Sequence, residues 1–202
     1  LTKAPVGQKI LVAAYGDGAD AMIIEVERPA EGRTGRLGLT GHLARRRAIT
    51  DRAVYLTMRG IFPDRRERQG AAPISATQHF RDRDADISFA AARCRACKTM
   101  HFPAQRVCYK CHRKDDFERA PMAGLRGKVM AYTFDHFFPV PKPPLVATTI
   151  EVEGGCRVYL MMTEAAPDSL KVGLPVEFCF RKIHEAGAKP NYFWKCRPRT
   201  EN

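Results

Sequence analysis

The chain has no apolar run long enough to cross a membrane and no signal-peptide pattern at its front. A membrane-spanning helix and a secretory leader are therefore not expected. Acid is scarce: 22 Asp and Glu stand against 34 Lys and Arg, a formal net charge of +12. An anionic partner or a solvated basic surface must answer that excess, and nucleic acid, an acidic protein and a phosphate-bearing cofactor all qualify. No complete catalytic set is legible. Cys156, Cys179 and Cys196 stand apart, none with a His and an acid grouped beside it, and each reads as a small buried hydrophobe. Gly16-Asp17-Gly18 lacks the following helix and Lys of a phosphate cradle and reads as a hairpin turn.

What is present is organised around Arg93 to His112. Cys94-x-x-Cys97 is followed after ten residues by Cys108-x-x-Cys111. Each C-x-x-C turn can aim two thiolates at one ion, and two such turns on a short ribbon complete a tetrahedral S4 shell. The spacing points to structural zinc over redox dithiols or disulfides. A closed shell leaves no open coordination position, so the metal is structural rather than catalytic. So short a ribbon buries little apolar surface, and metal binding supplies folding energy on the order of 10 kcal/mol. His101 and His112 read as surface or supporting residues, because four cysteines already fill the shell. Paired zinc-type cysteines without a secretory signal indicate a reducing, cytoplasmic setting.

Along the chain, Lys9 to Ala14 and Ala21 to Val26 read as a hairpin. A lone hairpin is marginal in water, so another part of the chain or a partner must cover it. Residues 28–78 read as a linker with short helices. One falls near Leu39 to Arg46; another is capped by Thr50 or Asp51, carries Val54 and Met58 on one face and stops at Gly60. Arg45, Arg46 and Arg47 form a basic cluster that reads as a solvated helix end. Glu27 to Gly38 and Asp64 to Thr77 are its polar stretches. Gln78 to Ala92 is expected as one helix with Phe80, Ile87 and Ala91 near one face. Residues 93–113 form the ribbon and 114–202 a small barrel with a C-terminal tail. Its strands are Lys128 to Phe134, Leu145 to Val152, Cys156 to Met162 after the Gly154-Gly155 turn, the alternating stretch around Val176, Phe178 and Phe180, and Tyr192 to Cys196. That set suits a five-stranded OB-fold barrel. The expected fold class is mainly β with some helix. Of Phe134, Phe137 and Phe138, two are expected in the core and one facing a ligand or partner.

A zinc ribbon followed directly by a small barrel resembles the zinc-ribbon/OB-fold family long labelled domain of unknown function 35, DUF35. The matching residues are Arg93-Cys94-Arg95-Ala96-Cys97, Phe102-Pro103, Arg106, Cys108 and Cys111, with Gly127 to Thr133 resembling the first barrel strand and Val172 to Phe178 a later one. Where the family usually has Gly after the second ribbon Cys, this chain has Lys98. Gly7 to Ala21 resembles the last strand pair of thiolase-fold enzymes of the 3-hydroxy-3-methylglutaryl-CoA synthase type, and Leu43 to Gly60 the tail that follows it. The resemblance implies that residues 1–27 are the terminal strand pair of a thiolase-fold domain. With Leu1 in place of a Met, the chain reads as the C-terminal piece of a synthase fusion.

The resemblance also implies a function: an acyl-CoA-binding accessory module in a hetero-oligomer with a thiolase-fold synthase, supplied as a subunit or an upstream domain. It would position the CoA thioester while the partner's cysteine makes or breaks the C–C bond. CoA or acyl-CoA is then expected at the seam of ribbon and barrel. Phe102 would come from the ribbon, Tyr132, Phe134 and Phe137 from the barrel, and Arg106 and Lys128 would meet the phosphates. Two other readings stand: a pure scaffold of the enzyme complex, and a nucleic-acid-binding ribbon/OB module. Nucleic acid is disfavoured because much of the excess charge lies between Arg28 and Arg68, and the barrel strands lack interleaved cations and aromatics.

Overall fold

The computed structural model describes residues 4–28, 38–44, 46, 48–62, 75–138, 140, 142–186 and 189–199. The described residues divide into two compact units, one up to residue 48 and one from 49 to 199. Arg45 and Arg47 of the basic cluster lie outside the described residues, as do 29–37 and 63–74 of the two polar stretches.

The first unit holds a hairpin of β1 (Lys9–Tyr15) and β2 (Ala19–Glu25), and a short helix α1 (Gly38–Ala44). The strands pair from Lys9↔Glu25 to Tyr15↔Ala19 around the Gly16–Gly18 turn. Ile10 and Ile24 face each other half-buried, while Leu11, Val12, Met22, Ile23 and Tyr15 are exposed. The hairpin therefore has two strands and no covered face among the described residues.

The second unit begins with α2 (Arg52–Met58), and of the two expected cap candidates it is Asp51 that serves: its Oδ1 accepts from the Ala53 and Val54 N–H groups. Gly60 follows at φ +69°, the left-handed conformation that ends a helix. α3 (Ala76–Asp86) is shorter than the helix expected over Gln78 to Ala92. Phe80 and Ile87 are exposed, and Ala90-Ala91-Ala92 belongs to β3 (Ala90–Cys94). Alanine favours helix locally, but here the run pairs with β4 (Met100–His101) on one edge and β5 (Phe117–Pro121) on the other. Tertiary burial outweighs propensity. The switch from helix to strand is made at Phe89, which takes φ +45° with its side chain fully buried.

The barrel comprises β6 (Arg126–Asp135), β7 (Leu145–Val152), β8 (Arg157–Met162), β9 (Pro175–Ala186) and β10 (Lys189–Pro198). It closes in the order β6-β7-β8-β10-β9, with all pairs antiparallel except β8 with β10. This is the five-stranded OB arrangement. Gly127 is required where β6, β7 and β9 meet, because a Cβ there would run into Ile150 Cγ2. The alternation expected in β9 holds for Val176 and Phe178 and then breaks: Cys179 is buried and Phe180 half-exposed. β9 pairs with β6 only over Pro175–Glu177 and continues along β10 alone, so its faces no longer alternate between core and solvent.

Ribbon and barrel share one core. Phe89, Met100 and Met122 from the ribbon side pack with Val129, Ile150, Val152, Val176 and Phe178 of the barrel. Met100 seats on the β7–β8 turn, where a Cβ on Gly154 would meet its sulfur. Phe89 lies edge-on to Phe102 at 5.4 Å and to Phe178 at 4.9 Å, and stacks on Trp194 at 5.1 Å. No helix among the described residues is long and apolar enough to cross a membrane.

Candidate metal centre and ligand clefts

The two C-x-x-C turns are built alike. In the first, the Lys98 N–H donates to the Cys94 carbonyl and the Cys94 N–H to the Thr99 carbonyl. In the second, the His112 N–H donates to Cys108 and the Cys108 N–H to Arg113, and all four bonds are 2.9 Å. These knuckles bring the four Sγ atoms within 4.8 Å of one another. Cys94 and Cys111 are 3.6 Å apart, Cys97 and Cys108 3.5 Å. Zinc–sulfur bonds of about 2.3 Å in a tetrahedron set sulfurs about 3.8 Å apart, so the residues present fit zinc. The Thr99 hydroxyl at 3.2 Å from Cys97 Sγ, then the Thr99 backbone, pull that thiol down to about 6. At Cys111 the Arg113 backbone favours the thiolate, but burial and the neighbouring sulfurs outweigh it and push the thiol up to about 12. As bare thiols the four hold protons unequally, whereas a divalent cation lets all four ionise.

The residue after each second cysteine is left-handed: Lys98 at φ +61° and His112 at φ +59°. That explains why Gly is usual there. Lys98→Gly is expected to relieve about 1 kcal/mol of backbone strain, partly offset by the added freedom of the unfolded chain. A melting temperature raised by about 1–4 °C, with the zinc content unchanged, is the outcome to measure.

His101 is not at the surface. It is 4% exposed, with its ring edge-on to Tyr109 and Phe117, and Nε2 has no hydrogen-bond partner. Burial pushes its pKa down from the ordinary histidine value. Cys156, Cys179 and Cys196 are buried as expected, and burial raises each thiol, Cys196 to about 11.

The six residues expected to hold CoA fall into separate groups. Phe102 is half-buried against Phe89 and lines a polar cavity of about 410 Å³ at the ribbon–barrel seam, with His101, Gln105, Tyr109, Glu151 and Arg157. Lys128 is exposed beside that seam, opposite Glu151. Arg106 is engaged by Asp115 through two hydrogen bonds, of 2.9 and 2.8 Å, which hold the Asp115 carboxyl below the usual carboxylate range. Tyr132 and Phe134 pack edge-on at 5.7 Å, and the Tyr132 hydroxyl donates to the Leu170 carbonyl. They sit opposite Thr148 and Val146, at the end of β7 remote from the turn that seats Met100. At about 3.3 Å per residue, Phe134 lies roughly 20 Å along β6 from Gly127. Nearness in sequence to the ribbon does not survive a ten-residue strand that runs away from it. Phe137 is 99% exposed on a loop that Asp135 Oδ1 holds through the Phe137 and Phe138 N–H groups. Phe134, Phe137 and Phe138 are all exposed to some degree, so none fills the core as expected.

A second cleft, of about 630 Å³ and mostly apolar, lies between α3 and the barrel. Tyr159 and Met161 wall it from β8, Ile183 from β9, Tyr192 and Trp194 from β10, and α3 contributes His79, whose Nδ1 is 3.0 Å from Asp86 Oδ2. Sequence periodicity did not reveal it, because its walls come from strands far apart in the chain. The one tryptophan of the sequence, directly after Tyr192 and Phe193, is the signal that was available.

Residues 81–118 match the family model described as ChsH2, rubredoxin-like zinc ribbon domain. Among curated proteins, the chain is similar to a DUF35 domain-containing scaffold protein of Methanocaldococcus jannaschii. The two are 33% identical over 117 residues, covering 56% of this chain and 80% of that one. It is also 34% identical over 86 residues to a probable enoyl-CoA hydratase alpha subunit of Thermomonospora curvata, covering 42% of this chain and 26% of that protein. Among solved structures, the Ltp2-ChsH2(DUF35) aldolase aligns with a TM-score of 0.48 and 24% identity, covering 65% of this chain and all of that one.

Proposed function

The chain belongs to the family of DUF35 domain-containing scaffold proteins, and on that premise we propose that it is an acyl-CoA-binding accessory module. It works beside a thiolase-fold synthase, as a subunit or fused behind it. The module holds a CoA thioester in place, and the partner's cysteine carries out the C–C bond chemistry.

One observation carries this reading: a ribbon and a barrel locked into one rigid core, with an apolar cleft of ligand size on their flank. The similarity to a probable enoyl-CoA hydratase subunit supports a CoA thioester as the ligand class. The bare hairpin supports the partner: a strand pair with Leu11, Val12, Ile23 and Tyr15 in solvent suits a sheet that another body completes. The exposed Phe137, on a loop fixed by Asp135, is assigned to the same partner as an aromatic anchor.

Calorimetry tests the ligand. Acyl-CoA is expected to bind more tightly than free pantetheine, because the chain's net charge of +12 attracts its phosphates, and to lose affinity as salt rises. No heat with CoA, alone or with the synthase, together with binding of a short single-stranded oligonucleotide, would transfer the reading to nucleic acid. Phe137→Ala is expected to leave the melting temperature within about 1 °C, since the ring is in solvent. Co-purification from the native source should show less synthase bound to this variant.

A further inference from the structure

The barrel closes through its weakest pair. β8 and β10 meet at one register point, Cys196↔Met162, where the Thr163 N–H also donates to the Cys196 carbonyl at 2.8 Å. Away from that point β8 is held along β7, back to Arg157, and β10 along β9, back to Lys189. No second bridge joins them among the described residues. The 630 Å³ cleft opens between these two strands, with α3 as its outer wall.

We propose that this cleft seats the amide-bearing arm of a CoA thioester, an extended acyl-pantetheine chain; this rests on the acyl-CoA reading above and gives it a place. The side-chain walls on the strands are mostly apolar, which suits an alkyl or ring-bearing acyl group. The strands that frame them are backbone edges, which present N–H and C=O groups at every second residue. A wholly apolar ligand would dry those groups without pairing them, which costs binding free energy at each group. A chain that alternates short alkyl links with amides satisfies both surfaces, and the pantetheine arm has two amides joined by two methylenes. Ser75, Gln78 and the His79–Asp86 pair add polar groups along the α3 side.

The wall is pre-formed. The Trp194 indole N–H donates to the Ile87 carbonyl at 3.1 Å, and its ring stacks on Phe89 at 5.1 Å. Phe180 lies 5.3 Å from Trp194 and stacks on Tyr192 at 5.5 Å, so a run of rings ties the cleft wall to the shared core. Little ordering is left for the ligand to impose.

Trp194 is the single tryptophan, so its emission reports on the cleft alone. The full zinc-loaded chain is titrated with octanoyl-pantetheine, with octanoyl-CoA, with a fatty acid of the same length as octanoyl-pantetheine, and with an unrelated extended peptide. Both thioesters are expected to shift the Trp194 emission saturably, and the fatty acid to bind at least ten-fold more weakly. Tyr159→Ala removes an exposed wall residue and is expected to weaken both thioesters at least five-fold. Val172→Ala, an exposed residue that lines neither cleft, leaves them unchanged. If octanoyl-CoA binds by calorimetry while Trp194 stays silent and Tyr159→Ala binds normally, the cleft assignment is overturned and the acyl-CoA reading stands. Equal affinity for the fatty acid overturns the amide assignment, and binding of the peptide alone makes the cleft a peptide groove. If no thioester binds by either method, the acyl-CoA reading falls and takes this inference with it.

Discussion

Cys108→Ser is expected to abolish stoichiometric zinc and unfold the ribbon. The parent should carry about one zinc per chain after gel filtration, and the variant close to none. The ribbon has only two short flanking strands on β3 and little apolar burial of its own, whereas structural zinc supplies on the order of 10 kcal/mol. Removing one thiolate also breaks the pattern of paired sulfurs, since Cys108 is the near neighbour of Cys97. The barrel has its own apolar interior from Val129, Ile150, Val158 and Leu160, so much of its β signal should survive. Metal analysis and far-ultraviolet circular dichroism on the same sample decide the matter. An iron–sulfur chromophore in the parent, or a Cys108→Ser protein with full zinc, would sink the assignment.

Phe89→Ala is expected to be the most damaging substitution away from the metal. The ring is fully buried and touches three aromatic rings, one from the ribbon and two from the barrel. Large-to-small changes at such sites cost about 3–5 kcal/mol. For a chain of this size that lowers the melting temperature by about 6–20 °C. Phe89→Gly separates ring from backbone. The residue sits at φ +45°, so glycine recovers about 1 kcal/mol of strain while losing the same ring. A Gly variant more stable than the Ala variant, with both well below the parent, is the expected order. Parental stability in Phe89→Ala would show that ribbon and barrel do not depend on this junction.

How far the sequence led depended on whether a feature was local. The S4 centre was legible because four cysteines at fixed spacing define it without help from the rest of the chain. The barrel strands were legible as short runs set off by turns such as Gly154-Gly155, and the α2 cap was narrowed to Thr50 or Asp51. The errors came where distant segments decide. Ala90-Ala91-Ala92 looks helical until β4 and β5 flank it. For His101 the sequence left surface and supporting positions open, and Tyr109 and Phe117 close over it, which removes the first. Tyr132 and Phe134 looked like neighbours of Phe102 because they follow the ribbon closely in sequence, and β6 carries them to the other end of the barrel. The cleft beside Trp194 could not be read at all, since α3, β8 and β10 are assembled only by the topology.

The hairpin of residues 9–25 has a colloidal consequence. Among the described residues the two strands have two unpaired backbone edges, and Leu11, Ile23 and Tyr15 are exposed beside them. Lys9 supplies a charge at one strand end, answered by Glu25, and Asp20 another beside the turn, but the six residues from Ile10 to Tyr15 are uncharged and neither strand carries a proline or a bulge to discourage pairing. Copies of this chain kept apart from a covering body will therefore tend to add to one another edge to edge. Self-association of the purified protein at high concentration, and its relief when residues 1–27 are removed, belong to this hairpin and not to the ribbon or the barrel.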